Sequence, residues 1–439
     1  MTDLRSWLLP GLLVTAAIAL AVSLLAMPGG DVYVAVMAAG VAVVVVMGMV
    51  PLPLLVFGWA ALLPIWSIDP LPPVAFDALR LIGAGVIFLR MQRAPSVAWR
   101  QAVNSWVVPI LAVGALMTTV AAVNADGRGW TTGTTMLIAA AVAYLVVVRV
   151  DRPGLVFGGY LAGVALSASV LIMSAFGYTA LSPQDNPGFD RLTGLAPSAT
   201  LAASDFALAV VIGWAYLSTR SRWQTPALLG MGVALVALLL SGGRVGVAGV
   251  AVATGCALLA GWVRPKHVVI GVSGLAGLLW VAPHIGLQFF TLDRLLGTSD
   301  TLTRTSFSSG RFEVLPEAAR AVVLDPLGHG LDGFVAAHGA IPHTPILYLG
   351  LGGGLAAALI ALALTVRVLR RVLRPLRDSI APQRAAHLVL AVFVATIALE
   401  PSGPFVGVAT LTLLFLSAGL LPGKQPRRQA PVLGRSIEA

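Results

Sequence analysis

The sequence predicts an all-α polytopic membrane protein. Three observations carry that reading. Of 439 residues, 58% are hydrophobic and only 10% charged, and the mean hydropathy is +0.92. Apolar runs close to the roughly 20 residues needed to cross a bilayer recur from end to end. The 47 glycines and 28 prolines suit membrane helices, where both residues are commoner than in soluble ones. Residues 1–439 read as a single multi-span domain with no soluble domain attached.

Spans are expected near 7–26, 31–49, 52–67, 77–91, 105–123, 134–149 and 154–176. Seven more follow near 198–217, 226–241, 245–263, 267–283, 344–366, 386–400 and 405–421. That makes about 14 transmembrane helices, or 12–14 if the short pairs within 31–67 and 226–263 merge. The first run is long for a signal-peptide core and has no convincing cleavage site, so it reads as an uncleaved helix.

The net charge of +10 would suit nucleic acid if it were gathered in one patch. It is spread over short loops, which makes it an orientation signal, and no nucleic-acid partner is expected. One set of loops carries Arg5, Arg90, Arg93, Arg100, Arg149, Arg152, Arg220, Arg222, Arg264 and Lys266. The same set carries the basic clusters of 367–384 and 424–435. The opposite set has only Arg128, Arg191, Arg244, Arg294, Arg304, Arg311 and Arg320. This asymmetry predicts a multi-pass protein of the cytoplasmic membrane with both termini cytoplasmic. It makes 284–343 a large, partly helical extracytoplasmic loop. The single cysteine, Cys256, excludes an intramolecular disulfide and most thiolate metal sites.

That loop holds His284, His329, His338 and His343, most of the chain's six histidines. Four segments in and around it are suited to chemistry. Ser241-Gly242-Gly243-Arg244 falls between two apolar runs. Arginine at the lip of the hydrocarbon suits a planar fork for phosphate, though such a residue can also simply snorkel. Gly310 to Arg320 has apolar residues at helical spacing and predicts a short amphipathic helix opened by Arg311. Within it, Glu317 and Arg320 are spaced to pair. His343 precedes Thr344, a candidate N-cap, and Pro345, which suits the first helical position. A helix N-terminus there disfavours an imidazolium and favours a nearby anion; the alternative is an ordinary loop histidine. Arg191, beside Asp190, is either a further substrate contact or half of a loop salt bridge. There is no metal-ligand spacing, Walker loop, nucleophile elbow or dinucleotide fingerprint. Glycines 350–354 lie in a membrane helix and read as a close-packing surface.

The order of these pieces resembles the bacterial O-antigen ligase and polymerase superfamily. The sequence has Arg-Leu-Thr-Gly before a span, Ser-Gly-Gly-Arg starting another, and a long loop with G-R-x-x-x-x-x-x-A. Asp-Pro-Leu-Gly-x-Gly-x-x-x-Phe (Asp325 to Phe334) and then His343 follow. The resemblance covers roughly residues 185–370. It implies a GT-C-like helical fold with no metal and no cofactor. It makes Arg244 and Arg311 ligands of a substrate pyrophosphate, His343 the catalytic base and Arg191 a substrate or acceptor contact. Thr344 stands where relatives usually have Asn, and Gly350 to Gly353 where they often have an acidic residue; both departures bear on the acceptor.

The function expected is glycan transfer from an undecaprenyl-pyrophosphate-linked oligosaccharide to an acceptor hydroxyl. It would take place on the outer face of the cytoplasmic membrane, with inversion and without metal, in a polysaccharide polymerase or ligase. The partners expected are the lipid-linked donor, a glycan or lipid acceptor, membrane lipids and polysaccharide-assembly proteins. The competing reading is a flippase for polysaccharide or lipid-linked oligosaccharide. A transporter would bury charge inside its spans, where the sequence suggests only Asp77 and Arg80.

Overall fold

The computed structural model describes residues 44–66, 73–91, 96–178, 192–219, 224–263, 265–281, 284, 314–374, 379–401 and 403–421. The regular elements among them are helical: α1 (Leu52–Ala61), α2 (Pro73–Arg90), α3 (Val97–Asn124), α4 (Gly127–Val147), α5 (Pro153–Ala175), α6 (Ala199–Leu217) and α7 (Gln224–Leu240). They continue with α8 (Arg244–Leu259), α9 (Pro265–Val281), α10 (Leu315–Leu324), α11 (Leu331–His338), α12 (Pro345–Val372), α13 (Ala381–Leu399) and α14 (Val408–Leu420), with a 3-10 turn at Gly403–Phe405. Six of them, α3, α4, α5, α6, α12 and α13, are long and apolar enough to cross a membrane, and α1, α7, α8 and α14 are shorter apolar helices. The protein is a polytopic helical membrane protein. The expected span 7–26 and most of 31–49 lie outside the described residues.

Lipid tails are as apolar as leucine, so helices in a bilayer associate through close packing rather than hydrophobic burial. Small residues mark the crossings. Gly114 of α3 meets Gly133 of α4 so closely that a Cβ on Gly133 would lie 2.8 Å from the Thr118 backbone nitrogen. Gly159 and Gly163 of α5 press on the backbone carbonyls of Phe57 and Ala61 in α1. α12 packs along α3, and α8 along α13.

The expected span 52–67 is shorter than its hydropathy suggests. α1 ends at Ala61, and carbonyls of the turn that follows it are taken by an arginine on the next helix. The Arg80 guanidinium donates to the carbonyls of Leu62 (3.1 and 3.2 Å), Leu63 (3.2 Å) and Ile65. It also donates to Asp77 at 2.6 Å. A helix end in hydrocarbon must have its carbonyls satisfied, and Arg80, 4% exposed, meets that need.

α12 contains a break that hydropathy does not reveal. Gly354 has φ 79° and ψ −178°, a region essentially confined to glycine. The break separates the Leu351 carbonyl from the Leu355 N–H, which would otherwise bond each other. Both find partners in the turn ahead of α11. The Gly330 N–H donates to Leu351 O (2.9 Å), and the Leu355 N–H donates to Pro326 O (2.9 Å). The Asp325–Gly330 motif is thus spliced into the helix ladder. Its glycines are needed: Gly328 has φ 112° and Gly330 φ 83°, and a Cβ on Gly328 would lie 3.0 Å from the Gly354 nitrogen. The glycine run packs closely, as its composition suggests. Gly350 faces Val322 of α10, while Gly352 and Gly353 face Met117 of α3.

Substitution Gly354→Ala is expected to release the turn. The added Cβ would lie 2.5 Å from Pro326 O, and the backbone conformation costs a non-glycine residue about 1–3 kcal/mol. Hydrogen-exchange mass spectrometry should show faster exchange at Gly330 and Leu355, with helices α5 to α7 unchanged. Unaltered exchange at both amides would show that the splice does not depend on glycine.

Candidate functional site

The helix ends sort the arginines. At one end of the bundle, arginines cap carbonyls or stack on rings. Arg90 reaches Met47 O (3.1 Å) and Val50 O, and Arg149 lies 4.6 Å over the Phe88 ring. Arg371 donates to Ala418 O at 2.8 Å and lies over Trp106. Arg384 donates to Ser218 O at 3.0 Å and lies over Trp262. At the other end, the described arginines are Arg128, Arg244 and Arg320. His343 is at this second end.

Arg244 is the first residue of α8, and the turn before it is tightly held. Ser241, fully buried, donates its hydroxyl to Leu238 O at 2.9 Å. Gly242 has φ 72°. Gly243 presses on Ala203 of α6, and Gly246 on the Ala203 carbonyl. No side chain caps α8. Arg244, half-buried, therefore stands where the N–H groups of a helix start converge, an arrangement that favours anions.

His343, also half-buried, stands two residues ahead of the first residue of α12. Thr344 occupies the N-cap position with extended backbone, and Pro345 is in the first turn. The expected capping bond from the Thr344 side chain is not made; its carbonyl accepts the first helical bond, from Tyr348 N at 2.9 Å. The Tyr348 hydroxyl in turn meets Thr132 of α4 at 3.0 Å. The stretch of α12 behind His343, residues 345–353, is a half-helix ended by the Gly354 break.

α13 brings Arg244 and His343 to one place. α8 and α13 run antiparallel: Trp262 after α8 meets His387 near the start of α13 edge to face, and Gly249 faces Val392. Five residues beyond that contact along each helix, roughly 7.5 Å up both, lie Arg244 and Ile397. Gly403 contacts both Ile397 and Pro345, its Cβ position being 2.9 Å from the proline ring. Arg244 and the His343 turn therefore flank the C-terminal end of α13. Glu400 follows that end, half-buried, with its N–H on Thr396 O at 2.8 Å. It is a carboxylate at the site that sequence reading missed; an acidic residue at the close of an apolar run was its only signal. Arg191 and Arg311 lie outside the described residues, as does the start of the expected 310–320 helix.

The described part of the loop is clamped onto the bundle by Asp126. This carboxylate, 3% exposed, caps two helices at once. It accepts from Gly129 N of α4 (3.0 Å) and from Leu331 N (2.6 Å) and Asp332 N (3.2 Å) of α11. Asp332 answers by accepting from Arg128 N at 3.1 Å and pairing with the Arg128 side chain at 3.0 Å. Asn124 donates to Gly328 O at 3.0 Å. Burial alone would raise the Asp126 pKa, but the N–H groups of Gly129, Leu331 and Asp332 outweigh it and hold the carboxyl below its usual range.

The described helix α10 begins at Leu315, with Pro316 in its first turn, and it buries Ala318 and Val322. Glu317 and Arg320 are both exposed, and the ion pair expected between them is not formed: water satisfies each more cheaply than an ordered surface pair would. His329 lies 3.9 Å from Asp325, and the His338 ring packs on Phe334 at 4.4 Å. Within the bundle, Tyr160 donates to Asp205 at 2.6 Å, a pair the sequence did not suggest. Among the described residues no group of three or more His, Cys, Asp or Glu is arranged to hold a metal ion. In comparisons with known proteins, no family model, no curated protein and no solved structure matches the chain.

A charge-neutral Asp126→Asn is expected to loosen α11. Hydrogen bonds to a charged group contribute about 1.5–3 kcal/mol each, so amide exchange at Leu331 and Asp332 should speed up roughly ten- to a hundredfold. Because the folded pKa is depressed, the contribution is fully present above the unfolded value of ~3.9 and is lost as pH falls through the folded value. Protection in the wild type should therefore persist down to about pH 4 and decline only below it. Equal exchange in Asp126→Asn and wild type would exclude the clamp.

Proposed function

We propose that the protein transfers a glycan from an undecaprenyl-pyrophosphate-linked donor to an acceptor hydroxyl. The observation that carries this reading is the convergence of Arg244 and His343 on the end of α13, each at the start of a helix. Both helix starts favour the anion that leaves in such a reaction. In the proposed step the acceptor oxygen bonds to the anomeric carbon as the bond from that carbon to the pyrophosphate oxygen breaks. The acceptor proton passes to His343, the general base. The pyrophosphate departs with the bonding pair, stabilised by Arg244 and, from the motif, by Arg311. Arg191 is proposed to contact substrate or acceptor. The attack is in line, so the configuration inverts, and no metal takes part. The resemblance to the O-antigen ligase and polymerase superfamily, with a GT-C-like fold, supports the same chemistry.

We place this site on the outer face of the cytoplasmic membrane. The support is the concentration of arginine at the opposite end, since cytoplasmic ends of membrane proteins carry the excess of Lys and Arg. A transporter reading draws on the charges inside the helices. Arg80, however, is committed to the carbonyls of the turn after α1 and to Asp77, and Asp205 accepts from Tyr160. These contacts account for both groups structurally.

Labelling of single cysteines tests the orientation: a cysteine at Ala336 should react with an impermeant reagent from outside, and one at Arg374 only after permeabilisation. Reaction of position 336 from the cytoplasmic side alone would remove the lipid-linked donor from reach.

Purified protein supplied with a synthetic undecaprenyl-pyrophosphate oligosaccharide should release undecaprenyl pyrophosphate. His343→Ala should lower turnover roughly 10²–10⁴-fold while leaving donor binding intact, with His329→Ala and His338→Ala near wild type. Arg244→Lys should not restore what Arg244→Ala loses, because an ammonium cannot reproduce a bidentate fork. Normal turnover in both His343→Ala and Arg244→Ala would overturn the proposal.

A further inference from the structure

The bundle has a furrow at its arginine-rich end, away from Arg244 and His343. It has a volume of about 310 Å³ and lies between α1, α5, α6 and α7. Its floor is a run of small residues on one face of α5: Gly154, Gly158, Ala162 and Ala165. These span eleven positions, so the furrow runs roughly 16 Å along the helix, parallel to the direction of lipid chains. Phe57, Leu229 and Val233 form its sides. Leu229 is 65% exposed, so the furrow borders the surface that faces lipid.

The mouth of this apolar slot is polar. Tyr216 lines it and is only 7% exposed. Its hydroxyl is buried and makes no hydrogen bond among the described residues. A Cβ on Gly154 would lie 3.3 Å from that oxygen, so the hydroxyl stands against the first turn of α5. That helix begins at Pro153, its N-cap residue is the exposed Arg152, and no side chain caps it. A buried hydroxyl without a partner costs free energy. Beside it are the start of a 23-residue helix that no side chain caps and an arginine. The three together want an anionic oxygen, and the slot below wants hydrocarbon.

We propose that this furrow is a binding site for one anionic phospholipid. One acyl chain lies along the small-residue face of α5. The phosphate sits at the start of α5, accepting from the Tyr216 hydroxyl and pairing with Arg152. Charge complementarity selects the headgroup: basic sites between helices at a cytoplasmic membrane face collect anionic lipids. The site does not depend on glycan transfer and stands whether or not that activity is found.

Native mass spectrometry of the full chain in detergent, with added phosphatidylglycerol or phosphatidylcholine of equal chain length, tests this. The wild type should retain one phosphatidylglycerol and hold it about fivefold more tightly than phosphatidylcholine, the effect of roughly one arginine near the headgroup. Arg152→Gln should erase that preference. Tyr216→Phe, which keeps the ring and loses the hydroxyl, should weaken both lipids. Ala162→Trp should block both, and because Ala162 is exposed the larger ring displaces no core residue. Equal retention of the two lipids by the wild type, or an unchanged phosphatidylglycerol adduct in Ala162→Trp, would overturn the proposal.

Discussion

The exchange of hydrogen bonds at Gly354 is the constraint on which the candidate site rests. An unbroken α12 would satisfy Leu351 and Leu355 internally and would leave the Pro326 carbonyl and the Gly330 N–H without the partners they have here. With the break, the turn completes the helix and the helix completes the turn. Everything on the near side of Gly354 then has a fixed place: α11 through Gly330, residues 345–353 through Leu351, and the His343 turn ahead of them. Asp126 fastens the same assembly from another direction, by lending one carboxylate to the starts of α4 and α11. The two devices are complementary. One joins the loop to a helix backbone, the other joins it to a side chain between α3 and α4.

Both follow from the same rule. Backbone groups away from water must find partners within the protein, and at three departures from a regular span a specific group fills the gap. Arg80 does so at the end of α1. Asp126 does so at the start of α11, and the Pro326 carbonyl and Gly330 N–H do so at the break in α12. The charge inside these helices is largely spent on holding irregular backbone. This is why the arginine that reads as a transport residue by position alone is better explained as a cap.

The class of the protein was legible because bilayer thickness writes directly into hydropathy. The ends of α4 to α8 fall close to where apolar runs stop. The site was legible in outline: Ser241 to Arg244 does start a helix, and His343 does precede one. What could not be read was set by residues far apart in sequence. The turn after Ala61 is held by Arg80, and no local signal marks that. The glycines at 350–354 announced close packing, but their hydrogen-bond exchange with a turn some 25 residues earlier needs the fold. Asp126 carries no local signal of its role, because the start of α11 that it caps lies some 205 residues further along the chain. The Glu317–Arg320 pair failed for the opposite reason, since helical spacing permits such contacts without requiring them. Arg191 and Arg311 remain readings of sequence, as neither falls among the described residues.

The splice also bears on how the chain can vary. Pro326 O and Gly330 N are four residues apart, and so are the two groups they satisfy, Leu351 O and Leu355 N. The turn matches the ladder only because these intervals agree. A single insertion or deletion between 326 and 330 would leave one of the two bonds unmade, whatever residue were added. Upstream of the turn no such count applies from this contact. Length changes in homologous chains should therefore collect ahead of Asp325 and avoid the five residues that follow it, so that the loop can be resized without shifting the histidine at its end.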